Sequence, residues 1–227
     1  MTAGVGTVAL RVPAHRVALA LLHAAGIPLA APSANRSGQV SPTTAAHVAR
    51  SLGGRVPLIL DGGACEVGIE STVIDLSVQP PRLLRPGMVS QRELEEVLGP
   101  LAPPGAPDAP DAPRSSPGML DRHYAPAAAV LLYEPGMEAT TIPLANAVRD
   151  RGGSVGAIVR LSRPATDRTI IQPDDPTGYA RSLYDALHQL DAAGVELILI
   201  ERPPPTGEWD AVRDRLVRAA QPRSGLA

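Results

Sequence analysis

The chain has 227 residues, of which 44% are hydrophobic, and this length is enough for one large or two modest domains. Its net charge of −2 excludes a general basic surface for nucleic acid, and its aromatic content of 2% excludes a stacking platform for single-stranded RNA or DNA. The single cysteine, Cys65, excludes a disulfide framework and a cysteine-based zinc site. The sequence shows no secretory pattern and no apolar run long enough to span a bilayer, so we expect a cytoplasmic protein without membrane partners.

All 21 basic residues are arginine, because the chain contains no lysine. This composition excludes a P-loop lysine, a Schiff-base lysine and a lysine general base. A phosphate or carboxylate ligand would therefore be held by arginine, backbone N–H groups and hydroxyls. The planar guanidinium group suits this role, since it can bind an oxyanion through two parallel hydrogen bonds.

Predicted strands and helices alternate over the first hundred residues. Apolar runs predict strands, whereas apolar residues that share a helical face predict helices. Strands are predicted at 7–12, 28–32, 56–60, 73–76 and within 82–87, and helices at 13–26, 43–52 and 94–98, the last opened by a capping box over 90–93. This density of mixed elements indicates an α/β domain without fixing whether the strands are parallel.

Residues 28–44 form the most informative stretch of this part. An apolar run gives way to small polar residues, and the chain then restarts as a helix for which Ser41 is a good N-cap and Pro42 a good first residue. Such a loop leaves backbone N–H groups free at a helix N-terminus, which is typical of phosphate sites. The same residues are also ordinary turn formers, and both interpretations stay open at this point.

Residues 100–126 are rich in Pro and Ala and predict an extended linker. The linker ends with Arg122, His123 and Tyr124 in succession, which is unusual for a passive spacer. We interpret this end either as a segment that docks onto the next domain or as part of a site.

The remainder of the chain predicts a second α/β unit. Strands are predicted at 129–133, 155–160 and 195–201, and helices at 143–151, from the Asp175 N-cap to Gly194, and from about 209 to 220. This alternation predicts a small parallel sheet. We expect Trp209 in the core, and Asp210, Arg213 and Arg215 on a solvated face.

Five ordered motifs together resemble the YrdC-type threonylcarbamoyl-AMP synthases. They lie at 7–13, at 31–43 (which includes Ala31-Pro32-Ser33-Ala34-Asn35), at 68–73, at 83–87 and at 116–126. The last motif and the second unit resemble the long, two-domain form of that family. The resemblance covers nearly the whole chain, and the order of the motifs makes it specific.

This resemblance implies an α/β fold in three parts: the C-terminal part of a YrdC-like catalytic domain over 1–99, a linker over 100–126 whose end covers the nucleotide, and a small Rossmann-like domain over 127–227. It implies a nucleotidyltransferase that converts ATP, L-threonine and bicarbonate into threonylcarbamoyl-AMP and pyrophosphate, with Mg²⁺ entering together with ATP. Threonylcarbamoyl transferase proteins would then modify an adenosine of tRNA, and double-stranded RNA is a further candidate ligand.

The resemblance also implies which residues contact each substrate. The implied ATP contacts are Thr7, Ser33, Asn35, Ser41, Arg85 and Tyr124, and the implied threonine contacts are Arg11, Ala31 and Ser71. No catalytic nucleophile and no protein-held metal are implied, because attack of a carbamate oxygen on the α-phosphorus mainly needs positioning and charge neutralisation.

The chain departs from the family pattern at its start. Members of the family carry a substantial segment before the strand that matches 7–12, and this segment contains a lysine-x-arginine motif. Here the chain starts just before that strand and has no lysine. The sequence therefore predicts a truncated catalytic domain with exposed sheet edges, less robustly folded than residues 127–221.

Two other functions remain as alternatives. One is a non-catalytic nucleotide- or RNA-binding remnant of the family, which the missing lysine favours and the joint survival of the motif residues opposes. The other is a carbamoyl-transfer domain of the hydrogenase-maturation type, which the linker and second unit oppose. The carboxylates Asp61, Glu66, Glu70 and Asp75 lie near turns, and we interpret them as caps and solvated groups rather than metal ligands.

Overall fold

The computed structural model describes residues 6–103 and 124–221. Their α-helices and β-strands are α1 (Arg16–Ala25), α2 (Ala45–Leu52), β1 (Val73–Asp75), β2 (Arg82–Arg85), α3 (Gln91–Leu98), β3 (Ala129–Tyr133), α4 (Ile142–Arg149), β4 (Val155–Val159), β5 (Arg168–Ile171), α5 (Pro176–Ala192), β6 (Leu197–Glu201) and α6 (Asp210–Ala219). Most of the predicted linker, and with it Arg122 and His123, lies outside the described residues. No helix in the described ranges combines the length and the apolar character that crossing a membrane requires.

The second half of the chain forms a four-stranded parallel sheet in the order β3-β6-β4-β5, as the sequence predicted. Every residue of β4 and β6 is buried, which is expected of central parallel strands that are covered on both faces. Side chains of β4 and β6 alternate between two apolar clusters: one packs against α5 and α6, the other against α4. Strand β5 was missed by the sequence analysis, because its four residues are mostly exposed and show little apolar pattern.

The first half contains a two-stranded antiparallel sheet, β1 with β2, in which Val73 lies opposite Arg85. The predicted helices are present. Helix α1 ends at Gly26, whose φ of 63° is the left-handed conformation that glycine adopts readily, and α3 has the predicted capping box between Ser90 and Glu93. Helix α2 differs from its prediction, because Thr44 and not Ser41 is its N-cap.

Three predicted strands of the first half, at 7–12, 28–32 and 56–60, are not strands in the structure. These three segments have no strand partner in the described part of the protein. Without a partner, a strand would leave its backbone hydrogen-bonding groups and apolar side chains exposed to water, so it is not stable. Leu10 and Val12 are each 87% exposed and Leu58 is 73% exposed. Helix α1 likewise buries none of its residues. The apolar surface that these segments would contribute to a core is therefore uncovered.

The two halves meet along α5. Gly68 has a φ of +86°, and a Cβ atom on it would lie 2.4 Å from the carbonyl oxygen of Ala180, so the backbone before β1 packs directly on this helix. Arg181 donates from Nε to the carbonyl oxygen of Glu66 at 2.7 Å. The chain that leaves the linker also joins this contact, because the N–H of Ala125 donates to the carbonyl oxygen of Gly38 at 3.1 Å.

Candidate functional site

A carboxylate lies at the centre of the contact between the two halves. Glu70 accepts hydrogen bonds from Ser41 Oγ at 2.6 Å, from Tyr184 OH at 2.8 Å and from Arg215 Nε at 2.9 Å. Burial alone would raise the pKa of Glu70, but the charge of Arg215 and these hydrogen bonds outweigh it and hold the pKa below its usual 4.5. Glu70 is therefore ionised at neutral pH and joins three segments of the chain. Its interpretation as a solvated group near a turn was wrong.

Arg215 is fully buried, which corrects its predicted place on a solvated face of α6. Besides the Glu70 carboxylate, its guanidinium group donates to the backbone carbonyl oxygens of Glu70 and Pro86, at 3.1 and 3.0 Å. It also forms an ion pair with Asp214 at 2.7 Å. These contacts satisfy a charge that burial would otherwise destabilise strongly. Arg213 is partly buried and Asp210 exposed, and Trp209, 5% exposed, lies in the core as predicted.

Tyr124, the first described residue after the linker, is buried against this ion pair. It is 1% exposed, and its φ of 59° is unusual for a residue other than glycine. Its ring stacks on Tyr184 with centroids 5.7 Å apart, and the Arg215 guanidinium lies 5.3 Å from its centroid. Burial and the charge of Glu70 raise the pKa of the Tyr124 hydroxyl, so it stays protonated at neutral pH. The linker end thus docks on the second half, and it also contributes to the cluster.

Arg85 is placed next to Tyr124 by the end of β2. Its Nε donates to the carbonyl oxygen of Ser71 at 3.0 Å. Its positive charge acts on the Tyr124 hydroxyl and lowers the pKa of that group, in opposition to burial. Only 8% of Arg85 is exposed. The structure therefore brings together four of the residues proposed from sequence: Ser41, Ser71, Arg85 and Tyr124.

The loop that precedes Ser41 is shaped by its own asparagine. Asn35 donates from Nδ2 to the carbonyl oxygens of Arg36 and Gln39, both at 3.0 Å. The carbonyl oxygen of Ser41 accepts from His188 Nε2 at 3.1 Å. The Ser41 hydroxyl does not cap α2 as the sequence predicted, because it donates its proton to Glu70. The polar side chains of this loop thus hold the backbone in shape and fix it against α5.

Four other predicted residues lie outside the cluster. They share high exposure and have no side-chain hydrogen bond or ion pair to the cluster among the described residues: Thr7, Arg11, Ala31 and Ser33. The cluster thus contains three of the six predicted nucleotide contacts, Ser41, Arg85 and Tyr124. It contains one of the three predicted threonine contacts, Ser71.

Three members of the cluster were not predicted from the sequence: Glu70, Tyr184 and Arg215. A signal for Arg215 was present, because the buried residues of α6 are Ala211, Val212, Arg215, Leu216 and Ala219, a spacing of three and four that places Arg215 on the apolar face. For Glu70, the sequence offered no comparable pattern.

The arrangement can position an anionic ligand but offers no reacting group of its own. Arg85 supplies charge and Ser41 and Tyr124 supply hydroxyls, whereas the pKa of Tyr124 is raised and not poised near neutrality. No group of three or more His, Cys, Asp or Glu side chains in the described ranges could hold a metal ion.

Comparisons with known proteins identify relatives of both halves. Residues 89–221 match the family described as the C-terminal domain of threonylcarbamoyl-AMP synthase, and residues 1–87 match the family described as telomere recombination. Threonylcarbamoyl-AMP synthase from Pyrococcus abyssi is 40% identical over 224 residues, which cover 97% of this chain and 66% of the relative. The Bacillus subtilis protein of the same name is 39% identical, over 97% of this chain and 65% of the relative.

A solved structure agrees with the sequence comparison. The crystal structure of P. abyssi Sua5 complexed with L-threonine has a TM-score of 0.86 and 41% identity, over 96% of this chain and 65% of that one. The chain thus spans just under two thirds of the length of the relatives that it matches.

Proposed function

The chain belongs to the threonylcarbamoyl-AMP synthase family, and on this basis we propose that it forms threonylcarbamoyl-AMP and pyrophosphate from ATP, L-threonine and bicarbonate. The observation that carries the proposal is the burial of Tyr124 against Arg215, with Ala125 hydrogen-bonded to Gly38 three residues before Ser41, in a chain similar along 97% of its length to synthases. The L-threonine in the solved relative supports threonine as the amino-acid substrate.

We propose that Arg85, Ser41 and Tyr124 bind the nucleotide, together with Thr7, Ser33 and Asn35. Arg85 would neutralise phosphate charge, and Tyr124 would cover the nucleotide from the linker side. The Ser41 hydroxyl now donates to Glu70, so donation to a phosphate oxygen would require it to exchange one acceptor for another. Phosphate therefore competes with Glu70 for this proton.

For threonine, the proposed contacts are Arg11, Ala31 and Ser71. Arg11 can pair with the substrate carboxylate, because its guanidinium has no ion-pair partner among the described residues and is exposed. Ser71 lies beside Arg85, which binds its carbonyl oxygen, so the threonine and nucleotide contacts would be adjacent at this point.

In this mechanism the protein acts by positioning. The amino group of threonine and bicarbonate form a carbamate with loss of water. An oxygen of this carbamate attacks the α-phosphorus, pyrophosphate leaves, and Arg85 stabilises the charge that develops on the phosphate oxygens. Mg²⁺, when bound to the ATP phosphates, would supply further charge neutralisation. The donor set fits an ion carried by the nucleotide, since the described residues include no cluster of metal ligands.

The test is release of pyrophosphate by the purified chain with ATP, Mg²⁺, bicarbonate and L-threonine. We expect release that depends on threonine, and a loss of at least about 100-fold in kcat/KM for Arg85→Gln, as found when a charged transition-state contact is removed. Arg92→Gln is the matched control, because Arg92 is an exposed arginine on α3 outside the cluster. Release that continues without threonine would contradict the proposal.

A non-catalytic nucleotide-binding role is the second candidate. The exposure of Thr7, Arg11, Ala31 and Ser33 favours it, because these four of the nine proposed substrate contacts lie outside the cluster. ATP binding that is lost in Arg85→Gln, combined with no threonine-dependent release, would identify this role.

For the synthase, we propose a cytoplasmic location, with tRNA threonylcarbamoyl transferase proteins as partners and double-stranded RNA as a further ligand.

A further inference from the structure

A polar cleft outside the Glu70 cluster lies between α2, α5 and the start of β5. It has a volume of about 460 Å³. Its walls carry two arginines, two histidines and two further polar side chains: Arg50, Arg168, His47, His188, Asp185 and Gln189. We propose that this α2–α5 cleft is a binding site for a phosphate group, either free or carried on a small molecule. The proposal does not depend on the synthase activity.

The two arginines give the cleft its positive charge. Arg50 belongs to the last turn of α2 and Arg168 is the first residue of β5, so they approach from different walls. Both are exposed, and neither guanidinium has a hydrogen bond or an ion pair within the parts of the chain that the structure describes. Two guanidinium groups that reach one cleft from different elements suit a tetrahedral oxyanion, whose oxygens point in several directions, better than a planar carboxylate.

Asp185, the acidic group of the cleft, is already engaged. Its carboxylate lies 3.5 Å from His47 Nε2 and accepts from Gln189 Nε2 at 2.6 Å. Two arginines against one such carboxylate leave the cleft with a net positive charge when both histidines are neutral. The cleft therefore favours an anion and not a cation.

The hydrogen bonds of the two histidines fix their orientation. The N–H of Thr43 donates to His47 Nδ1 at 3.3 Å, so the proton of neutral His47 lies on Nε2, facing Asp185. His188 Nε2 must donate to the carbonyl oxygen of Ser41, because a carbonyl oxygen can only accept. The rings lie 4.0 Å apart. Protonation of His188 would therefore add an Nδ1–H donor to a side chain that lines the cleft.

A bound anion should favour that protonation. Burial lowers the pKa of both histidines below 6.5; the Arg50 charge lowers them further, while Asp185 raises both and Asp191 raises that of His188. Arg168 adds a second positive charge to the lining of the cleft. An oxyanion between the arginines would offset their charge and would raise the pKa of His188.

The test uses inorganic phosphate, with sulfate as a dianion that does not titrate near neutrality. The full chain is titrated at constant ionic strength with chloride as the reference, and the ring C–H signals of its five histidines are followed by NMR. We expect the His47 and His188 signals to shift with saturation, and the pKa of His188 to rise when sulfate is bound. The His15 and His23 signals, from residues outside the cleft, serve as internal references.

Variants locate the site. Arg50→Gln and Arg168→Gln should each weaken phosphate binding by about tenfold or more, as loss of a charge-assisted contact predicts, while Arg92→Gln should leave it unchanged. A comparison of inorganic phosphate with AMP would show whether the phosphate is free or carried on a nucleotide. Equal binding by Arg50→Gln, Arg168→Gln and the unaltered chain would overturn the proposal, and so would shifts of His47 and His188 that chloride produces equally.

Discussion

The buried ion pair between Glu70 and Arg215 should dominate the stability of the contact between the two halves. In Glu70→Gln, the Arg215 guanidinium keeps Asp214 and two carbonyl oxygens but loses its fully charged partner at 2.9 Å. Glutamine also replaces one carboxylate oxygen by an NH₂ group, which cannot accept a hydrogen bond. The hydroxyl of Ser41 or of Tyr184, each of which donates to a Glu70 oxygen in the unaltered chain, would then lose its acceptor. Removing one member of a buried pair typically costs about 3–5 kcal/mol, and because Asp214 remains we expect a loss of about 3 kcal/mol in the free energy of unfolding.

Urea unfolding followed by far-UV circular dichroism and by the fluorescence of Trp209 measures this loss. The control is Glu96→Gln, which breaks an exposed pair with Arg92 and should cost less than about 0.5 kcal/mol. In the double variant Glu70→Gln/Arg215→Met, the loss should be smaller than the sum of the single losses by about 1 kcal/mol or more, since the two residues interact directly. A Glu70→Gln loss no larger than that of Glu96→Gln would refute the reasoning.

The same carboxylate should make stability depend on pH. Its pKa in the folded chain lies below the usual 4.5, so its contribution is fully present above that pH and is lost as the pH falls through the lower, folded-state pKa. Part of the acid sensitivity of unfolding should therefore be absent from Glu70→Gln. An unchanged pH dependence in that variant would show that other carboxylates account for it.

Three further predictions concern the fold. Gly68→Ala should destabilise the chain by about 2 kcal/mol or more in thermal unfolding, because a Cβ would meet the α5 backbone at 2.4 Å, while Gly99→Ala, with a similar positive φ and open space, should cost less. Ser90→Ala removes the capping box of α3 and should cost about 1 kcal/mol, and a cost near zero would show that the exposed helix adds little stability. Limited proteolysis should cut within residues 6–60 before it trims residues 127–221, whose sheet is buried on both faces; the opposite order would contradict the burial argument.

Much of the local structure was predictable because its causes lie within a few residues. The side chains of Ser90 and Asp175 cap helices through backbone groups three positions away, and both helices begin where these caps predict. The alternation of strands and helices in the second half likewise predicted a parallel sheet. Its central strands β4 and β6 are buried on both faces, as such a sheet requires. The motif residues Ser41, Arg85 and Tyr124 were identified from the sequence as candidates for one site, and the structure places them in one cluster; their roles stay predictions.

The sequence by itself therefore determined the capped starts of α3 and α5, the central strands and the candidate residues of the site. Only the tertiary structure determined which distant residues contact each other. Glu70 and Arg215 lie 145 positions apart, and no local pattern states that a carboxylate near a turn and an arginine on a distant helix form one buried pair. The segment 7–12, predicted as a strand, has no strand partner within 6–103 and 124–221, because strand formation depends on a neighbouring strand as well as on the apolar pattern of the segment. Side-chain burial and strand pairing depend on contacts between distant residues, and only the folded chain determines these.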